Sequence, residues 1–174
     1  MTYLDNIKNS LDILLLKKQA IIDSAESSKA TVYGILTLII AGIASAIPTL
    51  RISNLILQPI SMIIGFFILY SLFYIVSTYI FKGKSTFTEY IRPTSNSAVI
   101  YWAALISFIP YIGFIIQVIT SLWLMIVNVI ILRELNDLSL AKAIITTIIG
   151  IIVVLGVTYS LAIMLITTDP TRLL

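Results

Sequence analysis

The 174-residue chain contains no cysteine and no histidine. Without cysteine there is no disulfide, no thiolate nucleophile and no Cys-type metal site; without histidine there is no imidazole base and no His-ligated zinc, haem or copper. Charge is scarce too. Asp, Glu, Lys and Arg make up 11% of the residues, against about 25% in an ordinary soluble domain. What fills the space is apolar: 59% of the chain, with a mean hydropathy of +1.08. A soluble domain this short leaves a large share of its surface in water and cannot hide so much hydrocarbon. The composition excludes a soluble globular protein, a disordered chain and a disulfide scaffold, and it leaves a small all-α polytopic membrane protein.

The charges are segregated. Charge-free stretches run over residues 30–50, 52–81, 93–132 and 143–168. A spanning helix needs about 20 apolar residues, because each rises ~1.5 Å across ~30 Å of hydrocarbon. Three stretches fit one span each, and the longest is interrupted by Pro110-Tyr111-Ile112-Gly113, which is turn chemistry. The expectation is a five-helix transmembrane bundle over residues 29–168, with spans near 30–48, 56–81, 94–109, 113–133 and 140–166, a segment 1–28 before it and a short tail 169–174 after it. The third span is short, so a dipping hairpin or a four-span chain is the alternative. A secretory signal peptide is not expected, because Asp5, Asp12, Asp23 and Glu26 interrupt the first 29 residues.

Orientation follows the Lys/Arg bias of short loops. With five spans, Lys8, Lys17, Lys18, Lys29, Lys82, Lys84, Arg92, Arg133 and Lys142 fall on one side, and Arg51 and Arg172 on the other. The N-terminus is therefore expected in the cytosol and the C-terminus outside. A basic cytosolic face suits anionic lipid, and Lys17, Lys18, Lys82, Lys84 and Arg92 are the candidate headgroup contacts. No dense basic stripe with interleaved aromatics points to nucleic acid.

Leu4, Ile7, Leu11, Leu14 and Leu15 recur at helical spacing, with Asp5, Asn6, Lys8, Asn9 and Asp12 between them. This is an amphipathic N-terminal helix, to be docked in the cytosolic interface, packed on the bundle or used in a dimer. Residues 85–96 read as a short in-plane helix or a plain loop. Ala41/Ser45, Gly42/Ala46 and Gly156/Ser160 are small pairs four apart, suited to close helix contact. Pro59 marks a kink or a first turn.

No ionisable side chain lies deep in a span, which removes intramembrane acid–base, paired-carboxylate and metal chemistry. No catalytic, cofactor or metal residue is expected. The polar residues that remain include Gln58, Ser107, Thr120, Thr147 and a row on one helix, Gln117, Ser121 and Asn128. That row either lines a permeation path or headgroup site, or locks the bundle by interhelical hydrogen bonds. Tyr101, Trp102, Tyr111 and Trp123 read as interface anchors or packing. Ser139 is suited to cap the last helix.

Several short motifs, taken in order, resemble one family. Phe81-Lys82-Gly83-Lys84-Ser85-Thr86-Phe87 is similar to the Gly-Lys-x-x-Phe segment after the second span of the Yip-one (Ypt-interacting protein one) domain family. Ile109-Pro110-Tyr111-Ile112-Gly113 resembles its proline–glycine turn, with Pro110 and Gly113 as the structural residues. Leu122-Trp123, and Leu132-Arg133-Glu134-Leu135 through Leu138-Ser139-Leu140-Ala141-Lys142-Ala143, resemble its fourth span and the start of its fifth. The likeness covers about residues 25–165 and implies a five-span, N-cytosolic bundle linked to membrane trafficking. The chain lacks the family's long acidic N-terminus and its aspartate–leucine–tyrosine–glycine–proline segment, so Rab-type GTPase binding is not carried over. It looks like the compact bacterial and archaeal branch; 36 isoleucines in 174 residues lean the same way. The expected function is a non-enzymatic membrane-organising adaptor without cofactors, acting on lipids, other membrane proteins or a second copy of itself. The alternative is a passive translocator of lipids or small solutes along the polar row.

Overall fold

The structure is a computed structural model that describes residues 2–109 and 111–167, with side chains to residue 160. Every element among the described residues is helical. Helices α1 (Tyr3–Leu14) and α2 (Lys18–Glu26) precede α3 (Ser28–Ala46). Helix α4 (Asn54–Ile75) runs on into a π turn, Val76–Ile80, and α5 (Phe87–Ser97) continues as a 3-10 helix, Ala98–Phe108. Helices α6 (Ile112–Asn136) and α7 (Leu140–Thr167) are the last of the described elements.

Four helices are long and apolar enough to cross a membrane: Ser28–Thr49, Asn54–Ile80, Ile112–Asn136 and Leu140–Ser160. Ile56, Ile64, Ile68, Phe114, Ile119, Leu122, Ile152 and Leu155 all stand outward on them, each more than half exposed. A surface of this kind needs a non-aqueous solvent, and helices suit one because they satisfy their backbone groups internally.

Local chemistry sets the helix starts. Thr2 and Asp5 form a capping box at α1, and Thr86 and Glu89 form a second at α5. The second box decides between the two sequence readings of residues 85–96: the segment is helical from Phe87 and not a plain loop, and it runs on without a break toward Phe108. Eleven successive 3-10 residues are long for a conformation usually found in short pieces.

Small residues set the crossings. A Cβ on Gly42 would lie 2.3 Å from the Pro59 Cα, so α3 and α4 touch backbone to backbone there. A Cβ on Gly34 would meet Ser95 on α5, and one on Gly150 would meet the Phe73 ring on α4. Of the small pairs, Ala41, Gly42 and Ala46 are buried, whereas Gly156 faces open space.

Helix α5 occupies the centre, packed against α1, α2, α3, α4 and α6. The core around it joins Phe66, Tyr70, Phe73, Tyr90, Val127 and Ile131. Phe66 and Tyr70 stack at 4.2 Å, and Tyr70 meets Phe73 edge to face at 5.5 Å. Helix α5 and its 3-10 extension run antiparallel to α6, since Ser85 bonds Asn136 near one end and Gly113 approaches Ser107 near the other. Lys18, Lys84, Glu89, Arg92, Glu134 and Asp137 collect at the end where α5 starts, the charged end; Arg51 lies in the α3–α4 link at the opposite, far end.

Candidate functional site

The row Gln117, Ser121, Asn128 is divided between two cavities. The larger, about 410 Å³, opens among the far ends of α3, α4, the 3-10 segment and α6; its polar lining includes Gln58, Tyr101, Ser107, Gln117 and Thr120. The second, about 200 Å³, lies deeper and takes Ser121 and Asn128 together with Tyr70 and Phe73; Tyr101 lines both. Helices α4 and α6 form opposite walls, and among the described residues no Cα of one lies within 8 Å of a Cα of the other. The two cavities are therefore a cleft between helices whose backbones stand apart, until the π turn that continues α4 meets α6.

The inner end of the cleft is closed by hydrogen bonds. Asn128 is 2% exposed. The Tyr90 hydroxyl donates to its Oδ1 at 2.5 Å, and its Nδ2 donates to Thr147 Oγ1 at 3.1 Å, so one side chain ties α5, α6 and α7. Asn128 locks the bundle. Gln117, by contrast, stands exposed at the lip of the cleft. Among the described residues the side chains of Gln58, Tyr101, Ser107 and Gln117 make no hydrogen bond, so their amide and hydroxyl groups remain available to an occupant. Thr120 donates to the carbonyls of Ile116 and Gln117, one turn back on its own helix.

The candidate headgroup residues separate as well. Lys17 pairs with Asp12 at 2.7 Å, Lys18 with Glu134 at 2.8 Å and Lys84 with Asp137 at 2.7 Å. Arg92 turns inward, its Nε donating to Thr31 Oγ1 at 3.0 Å and a terminal nitrogen to the Ala25 carbonyl at 2.6 Å; it tethers α2 and α3 to α5. Lys82, at φ 59°, makes neither a hydrogen bond nor an ion pair among the described residues. Hydrogen bonding to Lys84, then its charge, holds the Asp137 carboxyl below the usual carboxylate range, and the same contact raises Lys84.

At the turn, Pro110 lies outside the described residues. Gly113 is buried, and a Cβ there would sit 2.7 Å from Ser107 Cα, so only glycine lets α6 start against the 3-10 segment. Of the aromatic residues, Trp102 donates to the Thr37 carbonyl and Trp123 to the Leu14 carbonyl, while Tyr111 is 87% exposed.

Sequence reasoning missed one constellation. Thr94, Ser95, Asn96 and Ser97 are all buried in α5. Asn96 Nδ2 lies within hydrogen-bond reach of Ser24 Oγ and the carbonyls of Ala30 and Arg92. Asn6 Nδ2 in turn donates to Asn96 Oδ1 at 2.8 Å. The polar side of α1 (Asn6, Ser10) is thus inside, while Leu4, Leu11 and Leu15 are 77%, 50% and 67% exposed. The Thr86-x-x-Glu89 box was the available signal: it favours the helix over the loop among the two readings of residues 85–96. Compared with protein-family models, curated proteins and solved structures, the chain matches none of them.

Proposed function

We propose that this is a non-enzymatic, five-span protein of a prokaryotic cell membrane, of the Yip-one domain type, that organises lipid through an interfacial N-terminal helix. The observation that carries the reading is the division of α1 into three faces. Asn6, Ser10 and Ile13 are buried in the bundle; Leu4, Leu11 and Leu15 point away from it; Lys8, Asp12 and Asp5 follow along one edge. At ~100° per residue the three leucines fall within about 40° of arc. Such a helix lies in the headgroup layer with its leucines in the acyl chains, each contributing about 1.5–3 kcal/mol by burial.

Support for the fifth span is the length of Phe87–Phe108: at ~1.5 Å per α and ~2.0 Å per 3-10 residue it reaches about 38 Å, enough for a bilayer. The basic residues of the charged end make that end the cytosolic one. A tag after Leu174 reached only from outside the cell supports this orientation, and a cytosolic tag overturns it.

The functional test uses exposed positions, so that the fold survives. Wild-type protein is expected to change the size distribution of reconstituted liposomes, and L4S/L11S/L15S to leave it as in empty vesicles. If the triple variant matches wild type, the reading fails.

The cleft favours a second reading, a passive translocator. Its motivation is the line of polar groups from Gln117 to Asn128, and its obstacle is the Tyr90–Asn128–Thr147 closure. Dithionite bleaching of labelled lipid in proteoliposomes decides it: bleaching no faster than in empty vesicles rules lipid scrambling out.

A further inference from the structure

We propose that the far-end cleft between α4 and α6 is a binding site for a neutral, hydroxyl-rich group. Such a group comes from a free polyol or from the sugar headgroup of a glycolipid. The proposal goes beyond both functional readings, because it requires the cleft to hold a molecule and not to pass one.

The lining specifies the chemistry. No Asp, Glu, Lys or Arg faces the cavity of about 410 Å³. An ion or a phosphate would lose its hydration there with no opposite charge to offset the loss. Four side chains keep hydrogen-bonding capacity that no neighbour uses: the amides of Gln58 and Gln117 on opposite walls, and the hydroxyls of Tyr101 and Ser107 on the 3-10 segment between them. An amide offers two donors and a carbonyl, and a hydroxyl offers one donor and two lone pairs. The set needs a partner that donates and accepts at closely spaced points, which is what a polyol does. The remaining lining, Met62, Ile116, Ala104 and the Tyr101 ring, suits the C–H faces of such a molecule.

The cleft is also placed to receive a headgroup. Helices α4 and α6 stand apart, so the opening faces sideways as well as toward the far end, and Gln117 lies exposed at its lip. The inner end is closed by Asn128, so an occupant stops near Tyr101.

The absence of native cysteine makes the test clean. Ala104 lines the cleft. In phosphatidylcholine nanodiscs the full chain carrying A104C should react readily with a small methanethiosulfonate; a thiol that does not react means a closed cleft and overturns the proposal. Two arms separate the sources: glucose added to these discs, and discs containing monoglucosyl diacylglycerol. Protection in either arm supports the site and identifies its source. At ten times the half-saturating concentration the reaction slows roughly tenfold. Glucose 6-phosphate should not protect, and Q117L, an exposed substitution that leaves the packing intact, should remove the protection while the thiol stays reactive. Absence of saturable protection in both arms, equal protection by the phosphate ester, or full protection in Q117L each overturns the proposal.

Discussion

Asn6 in the first helix donates to Asn96 in the central one across 2.8 Å, although ninety positions separate them. Both side chains are essentially inaccessible, and Asn96 also reaches Ser24 and the Ala30 carbonyl. The N-terminal hairpin is therefore fixed to the bundle by amide groups, which leaves its leucines unclaimed.

Truncation of Asn96 should release that hairpin. N96A leaves the Asn6 amide buried without its acceptor, at a cost of about 1–3 kcal/mol. Hydrogen exchange in α1 and α2 should accelerate while exchange in α7 stays unchanged. Equal acceleration in both would mean that Asn96 supports the whole bundle and not the hairpin.

The two glycines on either side of the molecule should behave oppositely. At Gly42 an added Cβ meets the Pro59 backbone, and at Gly156 it meets nothing within 4 Å. G42A should lower the thermal midpoint, with overpacking costing about 1–3 kcal/mol, and G156A should leave it in place or raise it slightly through helix propensity. A neutral G42A would show that α3 and α4 separate without loss.

The Tyr90–Asn128–Thr147 chain offers a double-mutant cycle. Interhelical hydrogen bonds in bilayers average about 0.6 kcal/mol and reach ~1.7 kcal/mol. Comparing Y90F, N128A and Y90F/N128A by unfolding in mixed micelles should return a coupling in that range. Additive effects would remove Asn128 as the lock that closes the cleft.

The Lys84–Asp137 contact should be flat across neutral pH. Asp137 titrates below its unfolded value of ~3.9, so its contribution is present above that value and is lost as pH falls through the lower folded one. Lys84 titrates above ~10.4, so its contribution holds below that value and is lost as pH rises through the higher folded one. Both groups are largely exposed, so salt should weaken the pair. Protection of the amides of residues 83–85, taken relative to the intrinsic exchange rate at each pH, should therefore be constant between about pH 5 and 9, and D137N should remove the acid and alkaline breaks.

The membrane character was legible in composition because the bilayer sets both the length of a helix and the places where charge is tolerated. Segregated lysines and arginines marked the helix ends for the same reason. The surroundings of residues 94–97 were not legible. The expected third span begins at Thr94, but nothing local shows that a capped helix carries Thr94, Ser95, Asn96 and Ser97 into the centre, where α1, α2 and α3 supply the partners of Asn96. Asn128 was placed on the correct helix, and an interhelical lock was one of the two roles its row allowed. Which helices supply the partners, α5 and α7, no periodicity within α6 can reveal. Arg92 shows the limit of counting charge: it adds to the basic end, yet its donors are turned toward Ala25 and Thr31.

The gap between α4 and α6 has a mechanical meaning. The backbones of its two walls stand apart at the far end and come together only where the π turn that continues α4 meets α6. Were the walls to part further, lateral tension in a surrounding sheet of lipid would do work on the added area and favour the wider form.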